Sequence, residues 1–191
     1  MEINKKNIVG DYPILLALKE TNIELIRLLI NYANENNIIL EIREKNRKGK
    51  DSLFYAVYFD KIEIVQLLIN YANDNNIILK INDKNDDGYC PLIYAILHNN
   101  IEIVKLLFNY TKKNNIIVDI YEDVYRGQYP LLCSLQHYKN IEMVQLIINY
   151  TKENNIIFNR MIVEHDIYRS LKYIDDDDLH KLITEFFENI E

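Results

Sequence analysis

One 21-residue segment occurs four times along the chain at nearly constant spacing. Its copies begin at Asn22, Lys61, Asn100 and Asn140 and read NIELIRLLINYANENNIILEI, KIEIVQLLINYANDNNIILKI, NIEIVKLLFNYTKKNNIIVDI and NIEMVQLIINYTKENNIIFNR. The four glycines are also 39 residues apart, at Gly10, Gly49, Gly88 and Gly127. A fixed period of this length is typical of repeat proteins, in which each unit packs mainly on its neighbours. The period therefore predicts one continuous array of similar units.

Each unit predicts two helices separated by turns. Glycine permits a left-handed turn, and each of the three prolines follows a glycine by three residues, where it can open a short first helix without losing a hydrogen bond. A residue such as Asn22 can cap the second helix. A pair such as Asn36-Asn37 can end it, because asparagine tolerates the left-handed conformation. A β-like run, IILEI in the first copy, then leads through a charged tip to the next glycine.

These residues resemble the ankyrin repeat, in which a glycine precedes threonine-proline-leucine-histidine, a helix with a small residue, and a second helix with a Leu-Leu core. The first-helix matches are Pro13-Ile14 with Ala17, Ser52-Leu53 with Ala56, Pro91-Leu92 with Ala95, and Pro130-Leu131 with Ser134. The second-helix matches are Leu28-Leu29, Leu67-Leu68, Leu106-Leu107 and Leu146-Ile147. The resemblance implies an all-α fold: an ankyrin-type helical repeat solenoid with short β-like fingers.

The sequence departs from the family pattern at the threonine and the histidine. The threonine positions hold Tyr12, Asp51, Cys90 and Tyr129, and the histidine positions hold Leu15, Phe54, Ile93 and Leu132. We therefore expect apolar packing in place of the family's Thr–His hydrogen bonding. The period of 39 residues exceeds the family's usual period of about 33. The additional residues predict a longer second helix, a longer finger, or both.

The repeat boundaries divide the chain into consecutive units of one continuous domain. They are a finger of a truncated preceding repeat (1–10), four repeats (11–49, 50–88, 89–127 and 128–164) and a degenerate C-terminal capping repeat (165–191). The finger is inferred because residues 2–7 match residues 41–46. A start within a repeat suggests a piece of a longer array. It also predicts exposed apolar surface near Leu15, Leu16 and the second helix of the first repeat. Copies of the chain could associate end to end through this surface.

Charge and hydropathy argue against several classes of partner. The net charge is −7 and no basic stripe is visible, whereas nucleic-acid binders cluster Lys and Arg to neutralise phosphates. No run of about 18 apolar residues is present to cross a membrane. The charged start, MEINKKNIVG, does not read as a secretion signal. We therefore expect no nucleic-acid or membrane partner, and a cytoplasmic or nuclear location.

The sequence shows no pattern typical of catalysis or metal binding. Glycines 39 residues apart cannot form a phosphate loop, and Cys90 and Cys133 fit neither a disulfide framework nor a zinc site. His98 and His137 occupy equivalent places in adjacent repeats, but two histidines alone make a poor metal site. The acidic run 175–178 is interpreted as a cap for the last helix. We expect no enzymatic activity, no cofactor and no bound metal.

The resemblance implies that a partner contacts the finger tips and the exposed ends of the first helices, on the concave face. The repeats differ most at these positions, which are rich in the aromatic and arginine residues that dominate protein interfaces. The candidate partner-binding residues are Tyr58, Phe59, Tyr89, His98, Tyr125, Arg126, His137 and Tyr138. The favoured function is a scaffold that binds another protein. The alternatives are a structural spacer or self-associating segment and, less favoured, a small-ligand or enzymatic role in the fingers.

Overall fold

The computed structural model describes residues 2–118, 120, 130–135, 140–156 and 167–188. These residues form helices in the order α1 (Pro13–Lys19), α2 (Ile23–Glu35), α3 (Ser52–Tyr58), α4 (Ile62–Asp74), α5 (Pro91–Leu97), α6 (Ile101–Lys113), α7 (Pro130–Cys133), α8 (Ile141–Glu153), a short α9 (167–171) and α10 (Asp177–Glu188). The first helices α1, α3 and α5 each pack on the second helix of their own repeat and on the first helix of the next, as α1 packs on α2 and α3. The predicted all-α repeat array is confirmed.

Asparagines border the second helices at both ends, as the sequence indicated, except at the start of α4. The side chain of Asn22 accepts a hydrogen bond from the backbone N–H of Leu25 at 2.9 Å, and Asn100 and Asn140 cap α6 and α8 in the same way. Lys61 precedes α4 without a side-chain cap. The left-handed residues after these helices are Asn37, Asn76, Asn115 and Asn155, with φ between 50° and 54°. Each of the four helices spans 13 residues.

The predicted short β-like fingers are not shown, because the described residues contain no strand. Side-chain hydrogen bonds hold the finger backbone in turns instead. The side-chain oxygen of Asn46 accepts hydrogen bonds from the backbone N–H groups of Lys48 and Lys50, and Asn7 and Asn85 repeat this arrangement. Such local bonds compete with a strand ladder for the same donors. Asparagine therefore sets the conformation of these fingers.

Apolar side chains fill the core between the helix pairs. Leu15, Phe54, Ile93 and Leu132, at the family's histidine positions, are all buried, which confirms the expected apolar packing. The expectation of exposed surface at Leu15 was wrong. Leu15 faces the interior of the array, whereas the next residue, Leu16, faces solvent, because successive side chains of a helix point in different directions.

Tyrosine hydroxyls connect consecutive repeats at the second helices. The hydroxyl oxygen of Tyr71 on α4 accepts a hydrogen bond from the backbone N–H of Leu40 at 2.9 Å. Tyr110 and Tyr150 make the equivalent contacts to the repeats before them. We call Tyr71, Tyr110 and Tyr150 the inter-repeat tyrosines. They supply polar links between repeats that lack the family's Thr–His pairing.

The last helix is amphipathic, and its start is capped by the acidic run. The side chain of Asp176 accepts a hydrogen bond from the backbone N–H of Leu179 at 2.9 Å, and two further acids lie in the first turn of α10. This confirms the interpretation of the run as a helix cap. Phe186 and Phe187 are buried, whereas Lys181 and Glu185 face solvent.

Candidate protein-binding surface

Seven aromatic side chains of repeats 2 and 3 lie together on α3 and α5 and beside them: Phe54, Tyr55, Tyr58, Phe59, Tyr89, Tyr94 and His98. At the C-terminal end of α3, the ring of Tyr55 stacks on that of Phe59, the residue after the helix, at 6.1 Å between centroids. Tyr58 and Tyr94 bring the two repeats into contact at 5.4 Å. The ring of His98 stacks on Tyr94 at 4.0 Å. We call the solvent-accessible part of this cluster the aromatic face; its members are Tyr58, Phe59, Tyr89, Tyr94 and His98.

Tyr94 lies at the centre of the aromatic face. Its ring contacts His98 just after the end of its own helix, Tyr58 in the previous repeat, and Tyr89 at 6.2 Å in the preceding finger. Burial raises the pKa of the Tyr94 phenol, and the neighbouring phenols of Tyr58 and Tyr89 raise it further. Tyr94 therefore remains a neutral phenol at physiological pH.

The rings of the aromatic face pack against one another yet remain open to solvent. Tyr58 is 43% exposed and His98 is exposed, while Phe59, Tyr89 and Tyr94 are half-buried. The rings hold one another in tilted and edge-on contacts, including Tyr58 against Phe59 at 5.1 Å. Fixed aromatic side chains lose little conformational entropy when a ligand covers them. The arrangement therefore suits binding of an apolar or aromatic segment.

Two lysines lie over the rings with their charges already paired. The ammonium of Lys50 is 4.7 Å from the centroid of Tyr58 and 3.7 Å from a carboxylate oxygen of Asp87. The ammonium of Lys19 lies over Tyr55 and forms an ion pair with buried Asp11. These cation–π contacts and ion pairs hold the lysine stems against the rings. Both charges therefore serve chiefly to support the surface.

Consecutive fingers carry opposite charges and touch each other closely. Arg47 and Lys48 are exposed on one finger, and Asp86 and Asp87 are exposed on the next. A Cβ placed on Gly49, between the two pairs, would lie only 2.9 Å from the backbone nitrogen of Asp86. A positive and a negative group thus lie side by side at the edge of the aromatic face.

The comparison with known families decides the classification. The family sequence model for ankyrin repeats matches the chain three times, over residues 1–79, 38–118 and 75–160. The chain belongs to the ankyrin repeat family. No curated protein matches it. Ankyrin repeats are generally protein–protein interaction modules and are typically not enzymes.

The ankyrin array brings four of the eight predicted partner-binding residues together. Tyr58, Phe59, Tyr89 and His98 all belong to the aromatic face. The other four, Tyr125, Arg126, His137 and Tyr138, lie outside the described residues. The sequence prediction missed Tyr94, which joins the four. The sequence could have identified Tyr94 from its position four residues before His98, since side chains at that spacing lie on one face of a helix.

The described part of this ankyrin array offers little for metal or thiol chemistry. It contains no group of three or more His, Cys, Asp or Glu residues that could hold a metal ion. Cys90 and Cys133 are buried free thiols, and burial raises the pKa of Cys133 to about 11. A thiol needs a lowered pKa to act as a nucleophile at neutral pH. Among the helices described, none is long and apolar enough to cross a membrane.

Proposed function

We propose that this chain is an interaction scaffold that binds another protein on its aromatic face. The observation that carries the proposal is the unbroken ring contact from Tyr58 through Tyr94 to His98, at 5.4 Å and then 4.0 Å. This contact extends one binding surface over two repeats. Tyrosine is among the residue types that contribute most to protein interfaces.

The charges around the aromatic face support a protein partner over a nucleic acid. Lys19 and Lys50 are paired with Asp11 and Asp87, so neither is a free phosphate contact. The finger tips change sign between Arg47-Lys48 and Asp86-Asp87. A uniformly charged polymer is attracted to one finger and repelled by the next. A protein segment that carries acidic and basic residues around an apolar centre can pair with both fingers and cover the aromatic face.

The proposed surface continues into the next repeat. In the repeat register, Tyr125 and Arg126 correspond to Asp86 and Asp87, and His137 corresponds to His98. Together with Tyr138, these residues would extend the aromatic and cationic character of the surface. We place the interaction in the cytoplasm or nucleus, because the free, buried thiols fit a reducing compartment.

A display selection tests this function with a large pool of random peptides as candidate ligands. Peptides displayed on phage are selected on immobilised wild-type chain, and the synthetic peptides are then titrated against variants. Tyr58→Ala combined with His98→Ala should weaken binding about tenfold or more, because both rings leave the surface. Tyr173→Ala should bind like wild type, since Tyr173 is 81% exposed and is not a member of the aromatic face.

Circular dichroism must show that the variants remain folded. Unchanged peptide affinity in a folded Tyr58→Ala/His98→Ala variant would contradict the proposal. Equal losses in this variant and in Tyr173→Ala would also contradict it, because the effect would then not be specific to the aromatic face.

A further inference from the structure

Three tyrosines of the aromatic face carry hydroxyl groups that the fold does not use. The hydroxyls of Tyr58, Tyr89 and Tyr94 form no hydrogen bond with any residue that the structure describes. Tyr58 is exposed, and the hydroxyl oxygens of Tyr89 and Tyr94 are not buried. By contrast, the hydroxyl of Tyr55 in the same cluster accepts a hydrogen bond from the side chain of Asn46 at 2.9 Å. Each of the three accessible phenols can therefore donate its O–H to a ligand.

The finger backbone beside the aromatic face is closed to an added strand. In this finger the backbone N–H groups of Asp87 and Tyr89 both donate to the side-chain oxygen of Asn85. The N–H of Gly88 donates to the carbonyl oxygen of Asn85, and the N–H of Asn85 donates to the carbonyl oxygen of Tyr89. A peptide that binds as a β-strand needs a row of unpaired N–H and C=O groups. Side chains of the aromatic face must therefore recognise the ligand.

The polar and apolar character of this surface matches an extended, proline-rich segment. A polyproline II helix uses none of its backbone carbonyls internally, and proline has no N–H. Such a segment therefore offers many hydrogen-bond acceptors and few donors, and the phenol O–H groups supply the missing donors. Proline-rich segments are also bound in grooves that aromatic side chains line, so the rings supply the apolar part of the contact.

The length of the aromatic face matches one turn of this helix. A polyproline II helix advances about 9 Å over a turn of three residues. The ring contacts from Tyr58 to Tyr94, at 5.4 Å, and from Tyr94 to His98, at 4.0 Å, place Tyr58 and His98 no farther apart than about one such turn. Two prolines three residues apart lie on the same side of the helix. One can therefore pack near Tyr58 and the other near His98.

We propose that the ligand of the aromatic face is a proline-rich segment of another protein, bound as a polyproline II helix with two prolines three residues apart on the rings. The hydroxyls of Tyr58, Tyr89 and Tyr94 donate to its backbone carbonyl oxygens. Acidic and basic residues that flank the prolines pair with the exposed finger residues Arg47-Lys48 and Asp86-Asp87. This inference rests on the proposed function, because it specifies the partner of the same surface.

Two peptide pools displayed on phage separate this inference from the proposed function. One pool has two fixed prolines three residues apart among random residues, and the other has alanine at both fixed positions. The proline pool should yield most of the clones that bind wild type and fail to bind Tyr58→Ala/His98→Ala. If the alanine pool yields as many such clones, this inference is overturned and the proposed function stands. If neither pool yields clones that depend on the aromatic face, both are contradicted.

A selected proline peptide, made synthetically, tests the hydroxyl contacts. Tyr94→Phe keeps the ring and removes one O–H donor that has no partner in the fold, so the dissociation constant of the peptide should rise about fivefold. Tyr173→Phe makes the same change away from the aromatic face and should bind like wild type. Unchanged affinity in Tyr94→Phe would overturn the assigned hydrogen bonds.

Alanine substitution in the same peptide tests the bound conformation. Replacing either proline should weaken binding to wild type about tenfold, because the free peptide is then no longer held in the extended form. A helical ligand would behave in the opposite way, since alanine favours a helix and proline breaks it. Equal or tighter binding of the alanine peptides would therefore overturn the proposal.

Discussion

The hydroxyl oxygen of Tyr110 accepts a hydrogen bond from the backbone N–H of Leu79, at 2.9 Å, across the boundary between two repeats. The same hydroxyl donates to the carbonyl oxygen of Ile77 at 3.3 Å. The side chain of Tyr110 is buried, and so is Leu79. One phenol therefore satisfies both a donor and an acceptor of the repeat before it, which ties α6 to the segment that follows α4.

Removing this hydroxyl should destabilise the array. Tyr110→Phe leaves the buried N–H of Leu79 without its acceptor, and we expect a loss of about 1–3 kcal/mol in the free energy of unfolding. Urea denaturation followed by circular dichroism measures the loss. Tyr173→Phe makes the same change at an exposed site and should stay within about 0.5 kcal/mol of wild type. Equal stabilities of the two variants would show that the inter-repeat hydrogen bond contributes nothing.

Asp51 should make stability depend on pH. Its side chain caps α3 by accepting a hydrogen bond from the backbone N–H of Phe54 at 2.9 Å, and burial raises its pKa to about 6. The folded state therefore binds a proton more tightly than the unfolded state does. Stability from this group is present below about pH 4 and is lost as pH rises through about 6, by roughly 3 kcal/mol at most.

Asp51→Asn isolates this contribution. Asparagine is as good a helix cap as aspartate but carries no charge to bury. Relative to wild type, the variant should gain stability between pH 4 and pH 7, as measured by urea unfolding at each pH. A difference between the two proteins that does not change with pH would show that Asp51 does not titrate in this range.

Gly49 should tolerate a side chain less well than Gly10. Both have positive φ, at 68° and 84°, so alanine is strained at either position. At Gly49 a Cβ would also meet the backbone of Asp86 at 2.9 Å, whereas at Gly10 its nearest neighbour is the flexible side chain of Arg47, at 3.3 Å. We expect Gly49→Ala to cost more than about 1 kcal/mol and to exceed the loss in Gly10→Ala. If Gly49→Ala and Gly10→Ala lower the melting temperature equally, the close contact between the fingers at Gly49 does not contribute to stability.

The sequence could predict the features that depend on local residues and the period. Asn22 as a helix cap and Asn37 as a left-handed helix end follow from one residue and its near neighbours, and both are confirmed. The inter-repeat tyrosines recur visibly in the sequence. The contacts that these tyrosines make are not visible in the sequence, because Leu79 lies 31 residues before Tyr110 and meets it only once the repeats are stacked.

The candidate site was predictable only in part for the same reason. Tyr58 and His98 lie at first-helix ends, where the repeats differ, and comparison of the repeats selects them. Tyr94 lies one turn earlier and becomes part of the aromatic face only because the packing of α3 on α5 brings its ring against Tyr58. The fingers were predicted as β-like from their apolar runs, but in the first run the backbone N–H groups of Leu40 and Glu41 donate to the side chains of Tyr71 and Asn4 rather than to a neighbouring strand.

Site-specific photo-crosslinking tests the binding surface most directly. A photoreactive phenylalanine analogue replaces Tyr58 in one sample and Tyr173 in another, and each is irradiated in a lysate of the source cells. The account predicts a discrete crosslinked protein from position 58 and none from position 173. Adding Tyr94→Ala to the first sample should strongly reduce the crosslink. Crosslinking from position 173 alone, or a crosslink at position 58 that survives Tyr94→Ala undiminished, would contradict partner binding at the aromatic face.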